Sequence, residues 1–358
     1  MTEVFVVSAV RTAIGSFGGS LRNVAPGELA ASVTREAVRR SGIEPVDFGH
    51  AVFGQVIPTE PNDAYLARVA ALNAGLPPSV PAMTLNRLCG SGLQAVVSAA
   101  QAVMLGDADV VVAGGAECMS RAPFLSPSTR WGTRMGDAVL VDTLNGALTD
   151  PFNRILMGVT AENVAQRHGV SREEQDALAV LSHRRAAAAI AEGRFKDQIL
   201  PIETKAKGKV VAFDQDEHVR PGVEAQELAT LKPIFKKDGG TVTAGNASGI
   251  NDGAAALVLA SAAAVARHGL QPMARLVTYA HSGVEPAYMG IGPISATRLA
   301  LQRAGMSVGA LDCSRFSSGT PYRRSKNHHS AQHRVAEGCR GREAGGRFGN
   351  SRFAAKAA

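Results

Sequence analysis

Short apolar runs alternate with helix-period stretches along the first third of the chain. "EVFVVSAV" is a continuous apolar run and predicts a buried strand. A glycine-rich loop, "RTAIGSFGGSL", follows it, and "PGELAASVTREAVRRSG" predicts a helix ending on Gly42. "HAVFGQVI" predicts a second strand, "YLARVAALNAG" a helix and "PAMTLNR" a third strand. "GLQAVVSAAQAVMLG" predicts a helix with Gly106 beyond its end, and "ADVVVAGGAE" a fourth strand. Strands that alternate with helices predict a mostly parallel sheet covered on both faces.

The rhythm breaks after Cys118. "RAPFLSPSTRWGTRMGD" is polar and irregular, and "SREEQDALAVLSHRRAAAAIAEGRF" predicts a helix with Ser171 and Glu174 as a capping box. Residues 119–242 therefore read as an insertion between strands, a usual place for an element that covers a substrate. "GAAALVLAS" restores a buried strand, "RLVTYAHSGV" adds another, and "ISATRLALQRAG" is an amphipathic helix ending at Gly305. From Cys313 to Ala358 the only large aliphatic is Val335, a composition that cannot bury enough apolar surface to offset its ordering entropy. This tail is expected to be disordered.

Charge changes the picture in one respect. The net charge of +7 comes from the tail, which carries ten Lys+Arg and two Asp+Glu (+8), so residues 1–312 sum to 7 − 8 = −1. Whole-chain basicity is thus no argument for a nucleic-acid partner, and the tail aromatics Phe316, Tyr322, Phe348 and Phe353 are too scattered for a stacking platform. The four cysteines, Cys89, Cys118, Cys313 and Cys339, form no CxxC pair. An acidic start argues against a signal peptide, and Ala254–Ala266, read as the longest uncharged apolar stretch, is too short to span a bilayer. No membrane partner is expected, and a reduced, cytoplasmic setting is the default. His329 and His333 have helical i, i+4 spacing but no further ligand cluster, so no metal site is expected. "GIGPIS" lacks the third glycine and preceding strand of a dinucleotide fingerprint, and "CGSG" is not a serine-hydrolase elbow.

The candidate chemistry is in "LNRLCGSGLQAVV". A strand, a tight turn at Gly90 and Gly92 and a helix start place Cys89 where backbone amides and the helix dipole favour thiolate over thiol. The same amides can receive the oxyanion of an attacked carbonyl. A packed core cysteine is the alternative, and it is the usual fate of a free thiol.

These residues are part of a larger pattern. "VRTAIGSFGGSL", "NRLCGSGLQAV", "VAGGAECMSRAP", "MGVTAENVA", "TVTAGNASGINDGAAA" and "MGIGP" occur in an order and spacing that resembles the thiolases, the acetyl-CoA C-acyltransferases or β-ketothiolases, over about residues 1–312. The resemblance implies two similar βαβαβαββ halves in a five-layer α/β/α/β/α fold. It implies residues 1–118 plus 243–268 as the N-terminal half, 119–242 as a loop domain covering coenzyme A, and 269–312 as the start of a C-terminal half left incomplete by the tail at 313–358. It implies transfer of an acyl group through acyl-Cys89 in reversible condensation or thiolytic cleavage of a 3-ketoacyl-CoA. Arg220 in "EHVRPG" and Ser248 in "GNASGIND" match positions that hold coenzyme A. The substrates are then acetyl-CoA and other acyl-CoA thioesters, with no separate cofactor, in a homodimer or homotetramer that serves fatty acid metabolism.

The chain departs from the family pattern in places. Leu156 stands where many relatives carry a histidine lining the acyl or pantetheine pocket, and Cys118, where relatives often have serine, reads as a packed small residue. After Leu311-Asp312 the family's Asn-Glu-Ala-Phe-Ala, Gly-His-Pro and Cys-x-Gly-Gly-Gly blocks are missing; by resemblance they supply a water-positioning Asn, an activating His and a second acid/base Cys. "NSRFAAKA", from Asn350, echoes the first block faintly but too late in the chain. The tail reads as out-of-frame or substituted coding sequence, and the alternative function is a catalytically impaired acyl-CoA-binding chain.

Overall fold

The computed structural model describes residues 2–206, 208–311 and 352–354. In chain order the elements are β1 Val4–Thr12, α1 Pro26–Ser41, β2 His50–Gly54, α2 Leu66–Asn73, β3 Ala82–Leu85, α3 Ser91–Leu105 and β4 Val110–Cys118. Then come α4 Met157–His168, α5 Arg172–Ala191, β5 Ile202–Ala206, β6 Lys209–Phe213, α6 Ala225–Ala229, β7 Asn251–Ser261, α7 Ala262–Arg267, β8 Ala274–Thr278, α8 Gly292–Arg303 and β9 Arg352–Ala354. They fall into two compact units. Among the described residues, the first holds those of 2–149, 187–219 and 249–273; the second holds 150–186, 220–248, 274–311 and 352–354. Residues 119–242 are thus shared between the two.

In the first unit the strands lie in the order β1-β7-β4-β2-β3. The pairs β4–β2 and β2–β3 are parallel, whereas β7 is antiparallel to both β1 and β4. The four strands joined by helices are therefore mutually parallel, as their rhythm predicts. β7 corrects the mostly parallel expectation. It returns from the long insertion instead of a helical crossover, enters from the opposite end and wedges between β1 and β4.

Both sheet faces are covered. Ala51, Phe53, Val110, Val112 and alternate residues of β7 from Ala254 to Ala260 join the core against α1 and α2. Their neighbours Val52, Val111 and Ala113 turn to the opposite face and are buried too. α3 packs on β2, β4 and β7, burying Ala95, Val97, Ala99, Ala100 and Val103. The stretch Leu88–Leu105 corrects the sequence reading, because among the described residues it alone is long and apolar enough to cross a membrane. Here the sheet takes its apolar face.

In the second unit the capping box of α5 forms: the Ser171 N–H donates to Glu174 Oε2 (2.9 Å) and the Glu174 N–H to Ser171 Oγ (3.2 Å). α4 packs on the turn Pro286–Ile291, where Asn163 Nδ2 donates to the Ala287 carbonyl (3.1 Å) and the Arg167 guanidinium lies 4.5 Å from the Tyr288 ring centroid. β9, from the stretch that follows Asn350, pairs in parallel with β8. The rest of the tail, with Cys313, His329, His333 and Cys339, lies outside the described residues.

On α1, Glu36 accepts hydrogen bonds from Arg39 (2.8 and 2.7 Å) and Arg40 (2.6 Å). The Arg39 hydrogen bond, opposed by burial and helped by Arg40, holds the Glu36 carboxyl down at about 2. A depressed carboxylate stabilises the fold above its unfolded value of 4.5 and loses that contribution as pH falls through 2. Glu36→Gln should therefore melt below wild type at pH 7. The gap should close as calorimetric scans move from pH 4.5 towards 2.

Candidate active site

Cys89 sits between the end of β3 and the start of α3, and it is exposed. The packed-filler alternative does not hold for it. Cys118 is the buried thiol: it is fully inaccessible, its Sγ lies 3.7 Å from the Leu21 carbonyl, and burial, with Asp252 nearby, pushes its pKa up to about 12. Such a thiol is inert.

The turn before α3 is built from local hydrogen bonds. Asn86 Oδ1 accepts the Leu88 N–H (2.8 Å), an Asx-type turn. Ser91 Oγ accepts the Arg87 N–H (2.8 Å) and donates to the Leu88 carbonyl (2.6 Å). The Gly90 and Ser91 amides donate back to the Arg87 and Leu88 carbonyls (3.1 and 2.9 Å), so these two are committed to the turn. Leu88 adopts φ +48°, a left-handed conformation that costs a β-carbon-bearing residue energy and concentrates at functional turns. Gly92 has open space beside it: a β-carbon there would meet nothing within 4 Å beyond its chain neighbours and the backbone of its own helix.

What seats this turn is a glycine floor that the sequence reading missed. A β-carbon on Gly54 would fall 2.5 Å from the Ser91 carbonyl carbon and 2.6 Å from its oxygen. Gly54 pairs with Gly115, whose added β-carbon would meet the Gly54 oxygen at 3.0 Å, and Phe53 pairs with Gly114. Only glycine lets the first turn of α3 lie this close to the strand ends. The one available signal was "VFG" and "AGG" inside two predicted strands.

The loop after β1 is anchored from far along the chain. Asp216 accepts hydrogen bonds from Arg11 Nη1 and Nη2 (2.8 and 3.1 Å) and from the Ile14 N–H (2.8 Å). Glu217 accepts the Ser16 N–H (2.7 Å) and the Ser20 side chain (2.5 Å). Buried Asp252 accepts the Ser120 N–H and hydroxyl (2.9 and 2.6 Å), and Ser120 Oγ accepts the Gly18 N–H (2.8 Å). A cleft of about 600 Å³ in this unit lies along Glu28, Arg35, Glu60 and Asn73.

Arg220 and Ser248 belong to the second unit, not to the one that holds Cys89. Arg220 is exposed, and its backbone N–H donates to His183 Nδ1 (3.3 Å). With Pro221, Val223, Leu228 and Leu231 it lines a cleft of about 320 Å³, near the lower limit for small-molecule sites. Ser248 is exposed at the end of a pinned loop. Asn246 Nδ2 donates to Asp176 Oδ1 (2.8 Å) and its Oδ1 accepts the Thr243 N–H (2.8 Å). Buried Glu162 accepts the Thr241 and Val242 amides (both 2.8 Å) and the Thr241 hydroxyl (2.8 Å). Leu156, the residue before α4, is exposed.

A family model for the thiolase N-terminal domain matches residues 4–263, and one for the thiolase C-terminal domain matches 270–318, six residues past Asp312. The chain is 60% identical over 310 residues to the β-ketothiolase BktB of Cupriavidus necator, covering 87% of this chain and 79% of that protein. It is 52% identical over 312 residues to an acetyl-CoA acetyltransferase of Chromobacterium violaceum, with the same coverage of both chains. Among solved structures it resembles the Bacillus anthracis acetyl-CoA acetyltransferase (47% identity, TM-score 0.84, 87% of this chain and 79% of that one). It also resembles human mitochondrial 3-ketoacyl-CoA thiolase in complex with CoA (42% identity, TM-score 0.83, 87% and 78%). Fold and relatives together define an α/β acyltransferase. The chain belongs to the thiolase family.

Two outcomes follow. Iodoacetamide on the native protein should modify Cys89 and leave Cys118 untouched until denaturant is added, as read by peptide mapping. Gly54→Ala should lift the first turn of α3, lower the melting temperature and slow Cys89 alkylation; a variant that labels and melts like wild type would remove the floor's importance.

Proposed function

We propose that this chain carries out thiolase-type acyl transfer from acetyl-CoA and other acyl-CoA thioesters, with Cys89 as the nucleophile and Arg220 and Ser248 as coenzyme A contacts. The observation that supports it is an exposed cysteine held in a strained turn against the first turn of α3, in a chain of this family. The Cys89 thiolate adds to the thioester carbonyl, the carbon–sulfur bond to coenzyme A breaks, and acyl-Cys89 forms as free CoA leaves. A carbanion from a second acetyl-CoA then displaces Cys89 and gives a 3-ketoacyl-CoA; thiolysis is the reverse. Arg220 suits the coenzyme A phosphates, and Ser248 suits a polar contact along the pantetheine arm. No separate cofactor takes part in this scheme.

A second reading has its own support. Deprotonating acetyl-CoA needs a base, and the sequence after Asp312 carries neither the Gly-His-Pro nor the Cys-x-Gly-Gly-Gly block that resemblance would assign to that work. On this reading the chain takes up an acyl group on Cys89 but condenses slowly or not at all. The cellular setting proposed with either reading is a cytoplasmic homo-oligomer in fatty acid metabolism. The exposed apolar side chains of Phe124, Leu125, Trp131 and Val141 offer it a surface for a second copy.

Incubation with acetyl-CoA followed by intact-mass and peptide analysis should find acetyl on Cys89 and one equivalent of free CoA. Cys89→Ser should lower acylation by on the order of 10³-fold or more. Arg220→Ala should raise the half-saturating acetyl-CoA concentration roughly tenfold with the saturated rate nearly unchanged. Acetyl-Cys89 without 3-ketoacyl-CoA would select the second reading, and no acetyl-Cys89 would refute both.

A further inference from the structure

The turn that carries Cys89 is tied to a carboxylate on another strand. Asn86 uses both ends of its amide. Oδ1 accepts the Leu88 N–H (2.8 Å), and Nδ2 donates to the Val56 carbonyl (3.1 Å) on the loop after β2. That loop is gripped from below. Glu117, on β4, accepts the Val56 N–H through Oε2 (2.8 Å) and the Ile57 N–H through Oε1 (3.0 Å). The Ile57 N–H and the Val56 carbonyl are the two ends of one peptide group. A carboxylate pulling on the N–H end polarises the carbonyl and makes it a better acceptor for Asn86. The four partners therefore form one cooperative line from β4 to the residue before Cys89.

The line has a task to do there. A leucine with φ +48° stays left-handed only where its surroundings over-determine it. Asn86 is exposed, so water competes for its amide, and a polarised acceptor is what keeps the side chain in place. Released, Leu88 would relax to an ordinary conformation and carry Cys89 with it, and small misplacements of a reacting atom are costly in rate. Gln55 ties the same loop to β3, its N–H donating to the Leu85 carbonyl (3.1 Å), so the frame around Asn86 is rigid on both sides.

We propose that Asn86 and Glu117 are positioning residues for the nucleophile, joined through the Val56–Ile57 peptide group and acting on Cys89 through the Leu88 amide. The role rests on the reading of Cys89 as the acyl acceptor. Glu117 is half-buried on β4; burial, opposed by the Val56 and Ile57 amides and reinforced by nearby Asp63, pushes its carboxyl up.

The test uses full-length Asn86→Ala, Asn86→Asp and Glu117→Gln beside wild type, with single-turnover acylation by acetyl-CoA and iodoacetamide labelling followed in the same preparations. Labelling of Cys118 reports loss of the fold in each digest. Asn86→Ala should slow both saturated acylation and Cys89 alkylation about tenfold, and Glu117→Gln about threefold. The half-saturating acetyl-CoA concentration should stay within about twofold and Cys118 should remain unlabelled. Asn86→Asp keeps the acceptor for the Leu88 N–H and should recover part of the loss. Rates within about twofold of wild type in both Asn86→Ala and Glu117→Gln would overturn the proposal, as would slowing seen only together with Cys118 labelling. If wild type forms no acetyl-Cys89, the acyl-acceptor reading falls, while the alkylation rates still decide whether Asn86 and Glu117 position the thiol.

Discussion

One close approach governs the geometry of the first unit: the backbone of β2 at Gly54 against the backbone of α3 at Ser91. No β-carbon fits between them. Because Gly54 pairs with Gly115, whose added β-carbon would lie 3.5 Å from the Gly92 α-carbon, the helix start is seated over two neighbouring strands at once. The height of Cys89 above the sheet, and hence its exposure, follows from that seat. A helix resting on ordinary side chains would stand further off and leave the turn residues Leu88 to Gly90 without their shared frame.

Around this seat, carboxylates replace regular secondary structure as the means of holding loops. Asp216 and Glu217 hold the loop after β1, Asp252 holds Ser120, and Glu117 holds the loop after β2. In the second unit Glu162 does the same for the loop leading to Ser248. The physical reason is common to all five. Irregular backbone leaves amides unpaired, and an ionised acceptor makes stronger bonds to them than a neutral one. Several of these anchors also lie next to the segments that carry the proposed chemistry, so positioning and stability share the same bonds.

The cysteine pair shows how environment divides identical side chains. Cys118 closes β4, is sealed against Leu21 and Asp252, and is held protonated. Cys89, from the same unit, is exposed on a turn. Among the residues described, the chain thus presents one accessible thiol. The chemistry proposed for it needs a base for the second step, and that need separates full turnover from simple acylation.

Much of the first unit was legible along the chain. Buried strands need continuous apolar runs and covering helices need a 3.6-residue period, so β1 to β4 and α1 to α3 announce themselves locally, as does the Ser171–Glu174 cap. Helical crossovers make those four strands parallel, and that too could be read. The sequence also placed Cys89 at a glycine bend, and its motifs pointed to the family. What only the tertiary structure decided are the meetings of residues far apart: β7 entering antiparallel between β1 and β4, Gly54 under Ser91, Asp216 on Arg11, Glu117 beneath Asn86. Each depends on loop closure over long stretches of chain, where no periodicity survives, so a glutamate that anchors a turn looks in sequence like any other acidic residue at the end of a strand.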